Sequence, residues 1–289
     1  MKKNFLLFIF LLFIAPFGIS QDSLTTSLLW EISGKKVKSP AYIFGTMHLI
    51  PNEDFLFPET LQQKVKESEV LVMEIGGVAE QMKIMHMMTL DTGSVFDYFT
   101  PPQLDSLFEY TEKELGYDEA KMRLVFSKMK PFILMQLFTK ETFGENPQSY
   151  EMSLEKIAKT EELEIIGLET VEEQVSFFDK LSMSDQVNMI MKALRSEEDG
   201  ELETRKLIDI YLSQNVDEIY NYTVEAGMSS PTFEEDFLNK RNKNWIAPIQ
   251  KTIRKNKAFI AVGAAHLGGP QGIIKLLKAE GYTLTPVKL

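Results

Sequence analysis

The chain has 289 residues, 44% hydrophobic and 25% charged, with a formal net charge of −11 and no cysteine. That length and balance can bury a sizeable core, while the acidic charge disfavours nucleic acid and anionic membranes as partners, since both need positive charge. Without cysteine there is no disulfide, no thiolate nucleophile and no cysteine-held zinc or iron–sulfur cluster, so any metal must be held by His, Asp or Glu.

The N-terminal "MKKNFLLFIFLLFIAPFGISQ" places two lysines before an apolar run from Phe5 to Phe13, then Pro16, Gly18 and Ser20. This pattern predicts a secretory signal peptide over residues 1–20, cut after Ser20. The run is shorter than the roughly 20 residues a spanning helix needs, so no stable membrane insertion is expected after cleavage. The mature chain would be periplasmic or extracellular. Loss of Lys2 and Lys3 would move its formal charge from −11 to −13.

Residues 21–289 read as a single α/β domain. "SLLWEISG" and "AYIFGTMHL" read as strands joined by the turn "KKVKSP". "FPETLQQKVKESE" reads as a helix, and "VLVMEIGG" as a continuous apolar strand. Residues 41–76 therefore form one β-α-β unit, whose two strands are expected to be parallel and adjacent. Helical segments follow: "VAEQMKIMHMMTL", "PPQLDSLFEYTEKEL", "AKMRLVFSKMKPFILMQLFTKETF" and "SYEMSLEKIAKTEE". "LEIIGLET" is a strand, residues 171–256 are helical again, and "KAFIAVGAAHL", "PQGIIKLLKAEG" and "YTLTPVKL" close the chain as strand, helix and strand. The expected fold is a central mixed, partly parallel sheet built from N-terminal, middle and C-terminal strands, with large helical insertions at about 79–160 and 171–256.

The chemistry concentrates at strand ends. Two of the three histidines, His48 and His266, each follow a glycine by three residues, each after an apolar strand and each before leucine. Glu74 and Glu169 sit at the carboxyl ends of two further strands. In open α/β sheets ligands bind in the crevice beyond those ends. Gly45 and Gly263 would allow close backbone approach or unusual dihedrals before each histidine. A lone histidine at a strand end is usually structural; two in matching frames point to a site. Glu74 interrupts a buried strand, where an ionised carboxylate is costly without a partner. Glu169 reads equally as a helix cap. Arg241 in "FLNKRNKNWIAPI" reads by composition as part of a solvated face. Met82, Met85 and His86 share a helical face that would suit copper(I), although such stripes are more often core packing. "GGPQGIIKLL" is not a P-loop, and no Gly-x-Ser-x-Gly element is present.

Three segments, "LLWEISG…AYIFGTMHLIP", "EIIGLETVEEQ" and "AVGAAHLGGPQGIIKLLKAEGYTLTPV", resemble the TraB/GumN family, which includes the Tiki proteins. The resemblance runs from about Leu28 to Val287, and "NKRNKNW" resembles a further family element, which brings Arg241 forward as a candidate. It implies a compact α/β core similar to the erythromycin esterase-like and haem-binding ChaN-like folds. It also implies metal-dependent proteolysis in which His48, His266 and Glu74 are required. Relatives often carry Asp at the helix start where this chain offers Glu151.

The expectation is a metal-dependent hydrolase, first of all a peptidase, acting on a peptide or small molecule. His48, Glu74 and His266 would hold a divalent ion (Mn, Co or Zn) with water in an open position. Glu169 would be general base or fourth ligand, and Arg241 would stabilise an oxyanion or grip a substrate carboxylate. Two alternatives stay open. One is a metal-free esterase-like hydrolase with His48 or His266 as base beside Glu74; the other is a haem- or metal-binding protein without turnover.

Overall fold

The computed structural model describes residues 25–34, 37–77, 88–131, 133–135, 138, 143, 146–194, 197–227 and 232–289. The leader at 1–20 and the helical face with Met82, Met85 and His86 lie outside these residues.

Six strands form one mixed sheet: β1 Leu29–Ser33, β2 Ala41–Thr46, β3 Val70–Met73, β4 Glu164–Gly167, β5 Ala258–Gly263 and β6 Thr283–Val287, in the order β4-β3-β5-β2-β1-β6. The first two make the expected antiparallel hairpin, and β6 pairs antiparallel with β1. β2, β5, β3 and β4 run parallel to one another. The expected adjacency of β2 and β3 is corrected here: β5, which arrives nearly two hundred residues after β3, lies between them. Its sequence explains why. Ala258–Val262 is an uninterrupted buried apolar run, suited to a central parallel strand covered on both faces.

Alternating side chains send β5 into two cores. Ala258, Ile260 and Val262 pack with Val72, Ile43 and Trp245 on one face. Phe259 and Ala261 pack with Leu71, Phe44 and Tyr150 on the other. The helices, in chain order, are α1 Glu59–Lys66, α2 Pro101–Leu115, α3 Glu119–Phe126, α4 Tyr150–Thr160, α5 Val171–Lys180, α6 Met183–Leu194, α7 Glu197–Leu212, α8 Val216–Gly227, α9 Lys240–Ile253 and α10 Ile273–Ala279. α9 and α10 cover the first face; α1 and α4 cover the second, joined by Tyr211 of α7. No helix among the described residues is long and apolar enough to cross a membrane.

The helical insertion between β3 and β4 packs with α6, which follows β4, around a further core. Phe96, Leu107, Met122, Phe126 and Ile190 pack together apart from the sheet. α2 shows how local sequence sets an element. Thr100 and Gln103 form a capping box, Pro101 and Pro102 fill the first turn, and Gly116 ends the helix at φ 64°. The segment from Ala120 to Phe143 does not continue as one helix. α3 stops at Phe126, and Met129 bridges to Thr89.

Candidate active site

Both Gly-x-x-His turns leave the sheet at the same edge. Thr46 of β2 is in register with Gly263 of β5, and Met73 of β3 with Ala261, so β5 delivers His266 between His48 and Glu74. Close approach, not unusual dihedrals, explains the glycines. A Cβ on Gly45 would lie 2.9 Å from Ala264 Cα, so a larger residue would push the second turn off the first. At the neighbouring strand end, a Cβ on Gly167 would lie 2.7 Å from the Gly76 amide nitrogen. That contact lets the Glu169 amide donate to the Glu74 carbonyl at 3.0 Å and sets the two glutamates side by side.

Arg241 joins these groups. A π-helical turn, Glu234–Asn239, runs directly into α9, and Arg241 and Trp245 share the buried face of that helix at i, i+4 spacing. Every N–H of the guanidinium has a partner. Nε donates to Glu169 at 3.1–3.2 Å. Nη1 donates to the Phe237 carbonyl and to His266 Nε2, both at 3.2 Å. Nη2 donates to Glu74 Oε2 and Glu169 Oε1, both at 2.6 Å. Trp245 Nε1 donates to Glu169 at 3.2 Å, and Gln174 of α5 donates to Glu74 at 3.3 Å. Burial pulls the Glu74 carboxyl upward, but Arg241, His266, His48 and the Gly263 amide outweigh it and hold its pKa at about 2. Burial raises Glu169 despite the Arg241 hydrogen bonds.

The partners of His266 assign its tautomer. Asn242 Nδ2 donates to the Gln271 carbonyl at 2.9 Å, which turns Asn242 Oδ1 toward His266 Nδ1 at 2.6 Å. Oδ1 only accepts and a guanidinium only donates, so the proton sits on Nδ1 and Nε2 keeps its lone pair. Burial drives the His266 pKa down to about 3; Glu74 opposes the fall, while Arg241 and His48 add to it. The ring is therefore a neutral imidazole, its centroid 4.6 Å from that of Trp245 and tilted 46° to it.

His48 is the opposite case. Its Nδ1 meets Glu151 Oε1 at 3.1 Å, and the same oxygen accepts from the Thr46 hydroxyl at 2.7 Å. The Glu151 charge, then its hydrogen bond, raises the imidazole pKa to about 9 against desolvation in the cavity mouth. Since 72% of the His48 side chain reaches solvent, water screens that attraction. His48, Glu74, Arg241 and His266 line one cavity of about 320 Å³.

Two expected roles change with this geometry. Glu169 stands behind Arg241, accepts from its Nε and Nη2, and is not among the cavity-lining residues, a position that suits holding the guanidinium. Arg241 has no N–H left for a substrate carboxylate. The three residues expected to hold a metal line one cavity, with His266 Nε2 3.9 Å from Glu74 Oε1; Arg241 hydrogen-bonds both His266 Nε2 and Glu74 Oε2, and Glu151 meets His48 Nδ1. Among the described residues, no group of three His, Asp or Glu side chains is placed to hold an ion. Sequence reasoning missed Thr46, Asn242, Trp245 and Gln174. Of these, only Trp245, four residues after Arg241, carried a periodic signal.

No curated protein and no solved structure is similar enough to count as a match. A family model does match, over residues 28–286, and on that match the chain belongs to the TraB/PrgY/gumN family.

Proposed function

We propose that the chain is an exported hydrolase that cleaves an acyl bond, with a peptide amide as first choice, by acid–base catalysis without a resident metal. One observation carries this reading: His48 and Glu74 face one cavity with their protonation equilibria pushed in opposite directions. Such a separation is how paired groups divide acid and base work at one pH. Glu74, ionised, takes a proton from the attacking water. His48, protonated against Glu151, delivers one to the departing nitrogen or oxygen. Arg241 holds Glu74 in place, and His266, kept neutral and oriented by Asn242, holds Arg241. No step needs an ion between His48, Glu74 and His266.

The test is peptide and ester hydrolysis by purified protein, with and without chelator, beside its metal content. The expected result is chelator-insensitive activity that declines at alkaline pH as His48 loses its proton. In Glu151→Gln that alkaline limb moves to lower pH, because the group that raises His48 is gone. Activity lost to chelator, restored by Mn, Co or Zn, and metal content lost in His48→Ala and His266→Ala would return the site to the metal-dependent reading. Absence of hydrolysis together with a Soret band on haem titration, lost in the same variants, would favour a binding protein.

A further inference from the structure

We infer that the group bound beside the scissile bond is uncharged and apolar, and that it has about ten non-hydrogen atoms. This rests on the hydrolase reading for which atoms react, but not for what the cavity binds.

The charges come first. All five Arg241 N–H groups are engaged by Glu74, Glu169, His266 and the Phe237 carbonyl. His266 is neutral. The remaining cation among the described lining residues is His48, and Glu151 already faces it. A substrate carboxylate placed inside would meet the Glu74 carboxylate and no free cation among the described residues, so it would lose its hydration without a replacement partner there. Much of the remaining lining is an apolar wall, Met47, Phe178, Leu207, Ile219, Phe237 and Leu238, beside the uncharged polar Thr46, Gln174, Tyr211 and Thr223. Such a wall, with convergent polar groups at one end, binds by burial and orients by the polar end. Size follows from volume. At about 30 Å³ per water-sized group, 320 Å³ holds roughly ten.

A homologous series of straight-chain primary amides tests this by calorimetric titration, with no hydrolysis required. Octanamide matches the predicted size. From butanamide to octanamide, affinity is expected to rise about fourfold per added methylene, the equivalent of about 0.8 kcal/mol. The gain should stop at decanamide, because the cavity is full. The monoamide of adipic acid, similar in length to hexanamide but ending in a carboxylate, should bind at least tenfold more weakly than hexanamide. Leu207→Lys adds a cation to a half-buried position on the apolar wall and should shrink or invert that preference.

Three results would overturn the inference: no binding of any amide at millimolar concentration, affinity that keeps climbing through dodecanamide, or the monoacid binding as tightly as hexanamide. The same titration beside the hydrolysis assay of the unaltered protein separates the two proposals. If that protein cleaves neither peptide nor ester but the chain-length profile persists, the catalytic reading fails and this one stands.

Discussion

The two Gly-x-x-His turns share a frame but not a fate. His266 lies between β2 and β3, with 4% of its side chain exposed, and is kept neutral by burial. His48 is 72% exposed and is drawn toward its charged form by Glu151. Backbone geometry is what the motif repeats; the electrostatics come from whatever tertiary neighbours each turn meets. The comparison also separates a buried charge set, in which every partner matters, from an exposed ion pair that water screens.

The largest expected effect breaks the buried side. Arg241→Leu leaves Glu74 and Glu169 together without their cation, so denaturant unfolding should show a loss of about 3–5 kcal/mol. An unchanged midpoint would mean the two carboxylates have another partner. Asn242→Ala removes the acceptor that sets the His266 tautomer and leaves a buried N–H unpaired, costing about 1–3 kcal/mol. Its nitrogen NMR shifts should move from a pure Nδ1–H pattern to a mixture, a change that a loss of packing alone does not produce. Gly45→Ala forces a Cβ against Ala264 and Leu267, for about 1–3 kcal/mol in the same unfolding assay.

Smaller effects appear with pH. The folded pKa of His266, about 3, lies below its ordinary 6.5, so its contribution to stability is complete above pH 6.5 and is lost as pH falls toward 3. Glu74, at about 2 against 4.5, acts in the same direction, with its contribution lost between pH 4.5 and 2. The melting temperature should therefore fall on acidification from pH 6.5, and His266→Gln should flatten the first part of that slope. His48 has the opposite sign. Its raised pKa favours folding below pH 6.5, and that contribution is lost as pH rises toward 9. Because the ring is exposed, Glu151→Gln should move the His48 titration back toward 6.5 by NMR while changing the midpoint little.

Much of the sheet was legible. Apolar runs bounded by turns marked all six strands, and the β1–β2 hairpin and the direction of β3 followed from local connections. Strand order was not legible in full, because short connections favour neighbours and β5 enters between β2 and β3 across a very long one. For the site, periodicity placed His48, Glu74, Glu169 and His266 at strand ends. It could not show that Glu169 faces Arg241, or that Glu151 faces His48 across an interval of 103 residues.

What the sequence alone determined is where chemistry-bearing residues leave regular structure. That follows from the alternation of apolar residues and from glycines, both short-range properties of the chain. What only the tertiary structure decided is which groups share a hydrogen bond, and hence which imidazole is neutral and which is charged. Protonation depends on desolvation and on charges within a few ångströms, and those neighbours come from the end of β3, from α4 and from α9, far apart along the chain.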